Sequence, residues 1–475
     1  MSLIGRAEDR RFFGHPKALG YLLGTEAGWA FAYYGLQATL TLYLTQTLLK
    51  PGHVEHVIGF GAYRGAMQSL YGPLTPLGLA SATFGMATAL IYALPIVGGL
   101  IADRWTGQRK AAITGILIMT LGHVLLIAEQ TFLIALALIA IGTGLLKTAL
   151  VGQVGRLYPP GDDRRTRGFG LYLIALNTGA FLTPLIAGTL GERLGWPFGY
   201  GAMAVGMGLG ALCYLAGVRH TPADLVRIRA DGSKAAPNLR PGDGPILAIL
   251  LLMIVLDGVW VGVYTQAFNV FPVWADAHVD RRVFGATMPV TWFSTLDGVL
   301  TIVGTALAVR IWSWQGKRGG NVTDIRRISI GFVLATAAFL SLAVGALIGG
   351  HGKAPLAPEL LFFILIDFSI PWIDTVIMTM ISRDAPAAIL STVLGVYYLS
   401  TAGGNFLTGW LGRFADRMSM PSFWLMHAAI NGAILVFLVL AGFKLNQLLA
   451  ARRSDLGPAG ADDAASSEPP VQGTA

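Results

Sequence analysis

Residues 131–155 read Thr131-Phe-Leu-Ile-Ala-Leu-Ala-Leu-Ile-Ala-Ile-Gly142-Thr-Gly144-Leu-Leu-Lys147-Thr-Ala-Leu-Val-Gly-Gln-Val-Gly155, with Lys147 as the one charged side chain. An apolar run of about 20 residues is long enough to cross a bilayer as a helix. Eleven further stretches of this kind flank it, at 20–47, 79–102, 111–128, 168–191, 197–218, 245–274, 285–311, 328–349, 358–381, 387–412 and 422–448. Charged or Pro/Gly-rich breaks such as Pro159-Pro160-Gly161-Asp162-Asp163 separate them. Frequent glycines within the runs suit membrane helices, whose backbones approach closely at small residues.

Composition agrees. Of 475 residues, 54% are hydrophobic and 13% charged, against about 25% charged in soluble chains. Too few charges remain to cover a water-facing surface, which excludes a soluble enzyme, a disordered protein and a nucleic-acid binder. A single cysteine, Cys213, excludes a disulfide framework and a multi-thiolate metal site. The fold class is therefore an all-α membrane protein with 12 transmembrane helices in the lipid bilayer.

Charge placement sets the expected orientation. With the N-terminus in the cytoplasm, 25 of the 34 Lys and Arg fall at cytoplasmic positions and eight outside, with Lys147 in a span. Both termini are then cytoplasmic, and the net charge of +8 reflects topology. Residues 1–18 carry mixed charge and no cleavage site, so no removable signal peptide is expected. The polar connection 219–244 divides the chain into six-helix bundles at 1–218 and 245–453, with a disordered tail at 454–475. Two similar halves with a site between them near the midplane is a transporter layout. The outward loop 48–78 has room for a short interfacial helix.

Ionisable groups within spans are costly and usually face a cavity or a partner. Here they are Glu26, Lys147, Asp257, Asp297, Asp367 and Asp374. Glu26, Ala30, Tyr33 and Gln37 share one helical face. Asp257, Trp260 and Tyr264 form a similar stripe, and Asp367 and Asp374, seven apart, are expected to look into one cavity. Packing alone would explain an isolated Trp or Tyr; sharing a face with acids favours a cavity lining. His123, with no acid at helical spacing, reads as a core histidine. Gly142 to Thr148 imitates a phosphate loop but has Leu146 where that motif needs glycine. Asn321-Val-Thr323 is a glycosylation sequon on the cytoplasmic side, where it is not used. No nucleophile–base pair, metal-ligand cluster or nucleotide cradle survives, so neither an enzyme nor a bound cofactor or metal is expected.

Several stretches carry a resemblance. Gly99-Leu-Ile-Ala-Asp103-Arg104-Trp-Thr-Gly107-Gln-Arg109-Lys110 resembles the loop 2–3 signature of the major facilitator superfamily, a cytoplasmic charge clasp and gate. Phe169-Gly-Leu-Tyr172-Leu-Ile-Ala-Leu-Asn177-Thr-Gly179-Ala180-Phe181 resembles the fifth-helix signature of its proton-dependent oligopeptide transporters (the POT/PTR family). Gly144-Leu-Leu-Lys147, Trp292-Phe-Ser-Thr-Leu-Asp297 and Gly395-Val-Tyr-Tyr-Leu-Ser-Thr-Ala-Gly-Gly404-Asn405 extend the likeness over nearly the whole chain. The first-helix pattern Glu-x-x-Glu-Arg-Phe-x-Tyr-Tyr-Gly is degenerate: Glu26, Phe31, Tyr33, Tyr34 and Gly35 match, while Trp29 and Ala30 replace the second acid and the arginine. In the family that arginine helps hold the peptide carboxylate. The tenth-helix glutamate that receives the peptide amine has no clean counterpart, the helix-eight Asn is Asp297, and the helix-seven acid is Thr265 beside Gln266.

The resemblance implies proton-coupled symport of di- or tripeptides, or peptide-like small molecules, into the cell across a bacterial-style inner membrane, by a monomer. Proton coupling falls to Glu26, Lys147, Asp257 and Asp367. Substrate contact falls to Tyr33, Tyr34, Lys147, Asn177, Trp260, Tyr264, Asp297, Asp367 and Asp374. A Glu26–Lys147 pair would close one state, and protonating the acid would release it. Two alternatives stay open: a facilitator or exporter of amphipathic or cationic metabolites with altered coupling, and a membrane sensor that does not transport.

Overall fold

The computed structural model describes residues 9–159, 161–224, 243–320, 322–350, 352–386 and 389–455. The connecting segment, apart from its ends, and nearly all of the C-terminal tail lie outside the described residues. Twelve long helices build the molecule. In the first half they are α1 (Lys17–Tyr43), α2 (Pro76–Ile101), α3 (Gln108–Leu125), α4 (Phe132–Gly155), α5 (Arg164–Thr183) and α6 (Trp196–Gly217). The second half holds α7 (Asp243–Tyr264), α8 (Trp292–Lys317), α9 (Asp324–Gly349), α10 (Leu356–Ile370), α11 (Leu390–Gly412) and α12 (Met420–Asp455). Among the described residues, nine helical segments are long and apolar enough to cross a membrane. The other three, α1, α3 and α11, are more polar or shorter, and pack within the bundle.

The expected spans match these helices apart from their edges. The loop 48–78 does contain a short helix, Phe60–Tyr71. The eighth span begins at Trp292 rather than 285, because Arg282–Val283 and Ala286–Thr287 pair as a small antiparallel hairpin before it. Gly285, at φ +81, makes the turn.

Prolines interrupt two helices. Pro184 opens a π-helical turn at Pro184–Gly188 in the fifth span, and Pro371 opens another at Pro371–Thr375 in the tenth. Proline has no N–H to donate and its ring crowds the preceding turn, so the ladder loosens there. Beyond these turns the helices continue as Thr189–Leu194 and Val376–Asp384.

Within the first half α1 packs on α5 and α6, and α4 on α2 and α3; within the second, α9 packs on α10 and α12, and α7 on α11. The halves meet where α2 crosses α11 and α5 crosses α8. Glycine makes the first crossing possible: a Cβ on Gly85 would lie 2.6 Å from the Asn405 carbonyl oxygen and from the Gly409 nitrogen.

Hydrogen bonds between the halves gather at one end. Thr41 Oγ1 donates to Asn269 Oδ1 (3.1 Å), Asn269 Nδ2 to Ser81 Oγ (2.6 Å), and Gln46 Nε2 to Asp276 Oδ2 (2.8 Å). Thr75 Oγ1 donates to Asp416 (2.7 Å), and Arg417 to the Pro73 carbonyl (2.6 Å). Glu192, just past α5, accepts the Val290 and Thr291 N–H groups at 2.8 and 2.9 Å, and the Thr291 hydroxyl at 2.7 Å. A carboxylate from one half thus caps the N-terminus of α8 in the other, where the helix dipole favours negative charge. Between described residues, no hydrogen bond joins the halves at the opposite end, which carries the turn Ala102–Thr106. The molecule is latched at one end.

Candidate functional site

Lys147, at the middle of α4, donates from Nζ to Glu26 Oε1 on α1. Glu26 is fully buried, and its second oxygen accepts the Tyr172 hydroxyl from α5. The Lys147 ammonium also sits 3.7 Å from the centroid of the Trp29 ring and 5.5 Å from that of Tyr172. Three helices therefore converge on one buried ion pair, and both charges have partners. Isolated, either would be strongly unfavourable there.

Tyr33 and Tyr34 extend this cluster toward the second half. Trp29 and Tyr33 stack at 5.1 Å, and Tyr33 and Tyr34 meet edge-on at 5.0 Å. Tyr34 lies within electrostatic reach of Tyr92 on α2, of Asp297 on α8 and of Glu26. Tyr92 in turn neighbours Tyr33 and faces Asp374. A layer of tyrosines thus spans the cleft between the ion pair and the acids.

The acids of the second half form two pairs. Tyr264 donates to Asp297 Oδ1 at 2.6 Å and stacks on Trp260 at 5.2 Å, and Asp367 lies beside Asp297. Asp374 accepts the Tyr397 hydroxyl, with Asp257 behind it. Asp257 and Asp367 are fully buried; Asp367 lies within hydrogen-bond reach of Asp297, and neither carboxyl oxygen of Asp257 has a partner among the described residues. Asp367 and Asp374 do not keep the unbroken α-helical phase that their spacing predicts. The π-helical turn at Pro371–Thr375 breaks the α-helical phase between them and turns one toward α8, the other toward α7 and α11.

Two further groups of expected residues have the following contacts. Asn177 joins none of these clusters; its Nδ2 donates to the Leu173 carbonyl of its own helix at 2.9 Å. In the gate motif, Asp103 and Arg104 are exposed and make no hydrogen bond or ion pair among the described residues. Arg109 of the same motif makes the contacts to the far end of the half. Its backbone N–H donates to Asp224 Oδ1 at 2.6 Å, and its guanidinium to Thr221 Oγ1 and the Thr221 carbonyl at 3.2 and 2.6 Å. Gly107, at φ +79, is needed there, since a Cβ would run into Asp224. Gly99 faces Thr148 of α4 at ordinary contact distance; the close approach of α2 to α4 falls at its neighbour Gly98, where a Cβ would run into the Gly144 carbonyl.

The residues missed from sequence are Tyr92, Tyr172, Tyr397, Asp224 and Glu359. Tyr172 and Tyr397 stand within the quoted motifs, which was a usable signal; nothing local marks Tyr92 or Asp224. Glu359, one turn into α10, is fully buried with both carboxyl oxygens unpartnered. His123 is a core residue, buried with Nδ1 2.9 Å from the Met119 carbonyl. Among the described residues no group of three or more His, Cys, Asp or Glu is placed to hold a metal ion.

Two six-helix halves around a charged cleft, latched at one end, define a multi-pass membrane transporter of the major facilitator type, not an enzyme. A family model described as PTR2, POT family, matches residues 109–224 and 245–425, and the chain belongs to that family. It is 26% identical to the peptide transporter YePEPT of Yersinia enterocolitica, over 90% of this chain and 95% of that one. It is 25% identical to a di-/tripeptide transporter of Lactococcus lactis, over 82% and 88%. Among solved structures it resembles a POT peptide transporter in complex with sulfate, at a TM-score of 0.81 and 23% identity, covering 94% of this chain and 99% of that one. A POT family transporter in complex with 5-aminolevulinic acid matches at a TM-score of 0.78 and 20% identity, over 94% and 100%.

Proposed function

We propose that the chain is a proton-coupled symporter that carries peptides or peptide-like small molecules into the cell. It works as a monomer in the inner membrane, with both termini cytoplasmic. The carrying observation is the buried Glu26–Lys147 pair, held by Trp29 and Tyr172 and facing the acids of the other half across the tyrosine layer. In this orientation the latched end faces outward and the cleft opens to the cytoplasm.

Protonating Glu26 removes the charge that holds Lys147, and α1, α4 and α5 lose a shared tie. Each of these helices belongs to the first half, so the tie governs how that half rocks against the second. Asp257 and Asp367, both fully buried, take part in the same proton traffic. Tyr33, Tyr34, Trp260, Tyr264, Asp297 and Asp374 line the substrate path; Asn177 enters only if its side chain leaves the Leu173 carbonyl. Relatives named as peptide transporters support the substrate class.

The test is uptake of di- and tripeptides by proteoliposomes, with and without an imposed pH gradient. Accumulation driven by an inward proton gradient is expected. Exchange indifferent to the gradient would replace symport by facilitation, and binding without flux would make the chain a sensor.

A further inference from the structure

We propose that the second half of the cleft is a two-point cation site: a ligand bearing two positive charges places one at the Asp297–Asp367 pair and the other at the Asp374–Asp257 pair. The proposal rests on the transport reading above and narrows its substrate class.

The two pairs are built alike. In each, a partly exposed aspartate accepts one tyrosine hydroxyl, Asp297 from Tyr264 at 2.6 Å and Asp374 from Tyr397. In each, a second aspartate lies behind it, fully buried: Asp257 has no partner on either oxygen, and Asp367 lies within hydrogen-bond reach of Asp297 alone. One tyrosine hydroxyl per pair is far short of what two carboxyl groups can accept, so each pair has capacity left for a cationic donor.

Independent observations point the same way. Trp260, a residue 3% exposed, has no partner for its Nε1 among the described residues. It leaves a polar group over for a polar ligand. The stacked faces of Trp260 and Tyr264, and Tyr34 opposite them, suit ammonium and guanidinium groups. Among the described residues no counter-charge stands free on the facing wall. Lys147, the in-span cation, is committed to Glu26 and to the Trp29 ring.

Helix α10 and its continuation supply one member of each pair. Asp367 and Asp374 are seven residues apart, which sets the pairs roughly 10 Å apart along the axis at about 1.5 Å per residue. Hydrogen-bond reach at each end shortens the span a ligand must cover. Charges joined by a chain of several single bonds fit it: the α-amine and side-chain amine of an N-terminal lysyl residue, or the two ends of 1,5-diaminopentane.

The test is titration of the purified full-length protein, read by intrinsic tryptophan fluorescence, with lysyl-alanine, alanyl-alanine and 1,5-diaminopentane. Lysyl-alanine is expected to bind at least about tenfold more tightly than alanyl-alanine, the effect of one added close charge pair. In Asp297→Asn and in Asp374→Asn, whose side chains keep the native shape, that ratio should fall toward one. Equal affinity for the two dipeptides in the unmodified protein overturns the two-point site and leaves peptide transport standing. Binding of the diamine without either dipeptide supports the site and removes the peptide reading. Binding of none of the three overturns both.

Discussion

The Lys147 ammonium lies 3.7 Å from the centroid of the Trp29 ring, so the aromatic residue that replaces an acid on α1 is itself part of the ion-pair cluster. A ring face toward a cation is worth roughly 0.5–2 kcal/mol, the more so where water is excluded. Trp29 thus partly makes up for a lost negative charge, with no second proton acceptor at that place.

Trp29→Leu should therefore cost more thermal stability than Trp29→Phe, by about 1 kcal/mol. The check is a double-mutant cycle on melting temperature. In a Lys147→Ala background the difference between Leu and Phe should vanish if it arises from the cation. A difference that persists unchanged would mean that the ring acts through packing.

Lys147→Ala should abolish gradient-driven accumulation, since Glu26 then keeps Tyr172 as its hydrogen-bond partner and loses its counter-charge. Exchanging the two charges, Glu26→Lys with Lys147→Glu, should restore more uptake than either single change. Strict additivity of the two losses, measured in the same proteoliposomes, would contradict the contact.

How much of this was legible in the sequence follows from the range of each signal. Span number, the division at 219–244 and the Glu26–Lys147 pair rest on long apolar runs and on the scarcity of charges within them. Failures came where a local rule met a distant partner. The seven-residue spacing of Asp367 and Asp374 assumed unbroken α-helix, and Pro371 imposed a π-helical turn. The loop 2–3 motif named Arg109 along with Asp103 and Arg104, but nothing in it pointed to Thr221 and Asp224, the partners of Arg109 over a hundred residues away. Tyr92 lies on an apolar helix with no pattern to single it out.

Glu192 ties the two halves at the latched end. It accepts three hydrogen bonds from Val290 and Thr291 across the two halves, and bonds to a charged acceptor contribute about 1.5–3 kcal/mol each. Glu192→Ala should shift the population toward opening at this end. Spin labels at Ser69→Cys and Ser419→Cys, in a Cys213→Ser background, should then report a longer distance between the loops on either side of the latch. An unchanged distance distribution would show that the α2–α11 crossing holds the latch without Glu192.

The last prediction concerns the ligand carboxylate. The first-helix arginine of the resembling family is Ala30 here, and Ala30 is fully buried against α5, where a Cβ on Gly179 would come within 2.9 Å of its own. The position faces packed backbone rather than the cleft, so Ala30→Arg should cost stability and expression instead of restoring a carboxylate site. Lys147 is no substitute while Glu26 holds it, because serving a ligand carboxylate would leave Glu26 buried beside a divided cation. Among the described residues the cleft therefore offers several acceptors for a ligand amine and no free donor charge for a carboxylate. Peptides with amidated C-termini should compete for uptake nearly as well as free ones, within about threefold, whereas N-acetylation should weaken competition by about tenfold or more, as loss of a close charge pair does. Competition assays in which amidation is as damaging as N-acetylation would mean that Lys147 leaves Glu26 when substrate arrives.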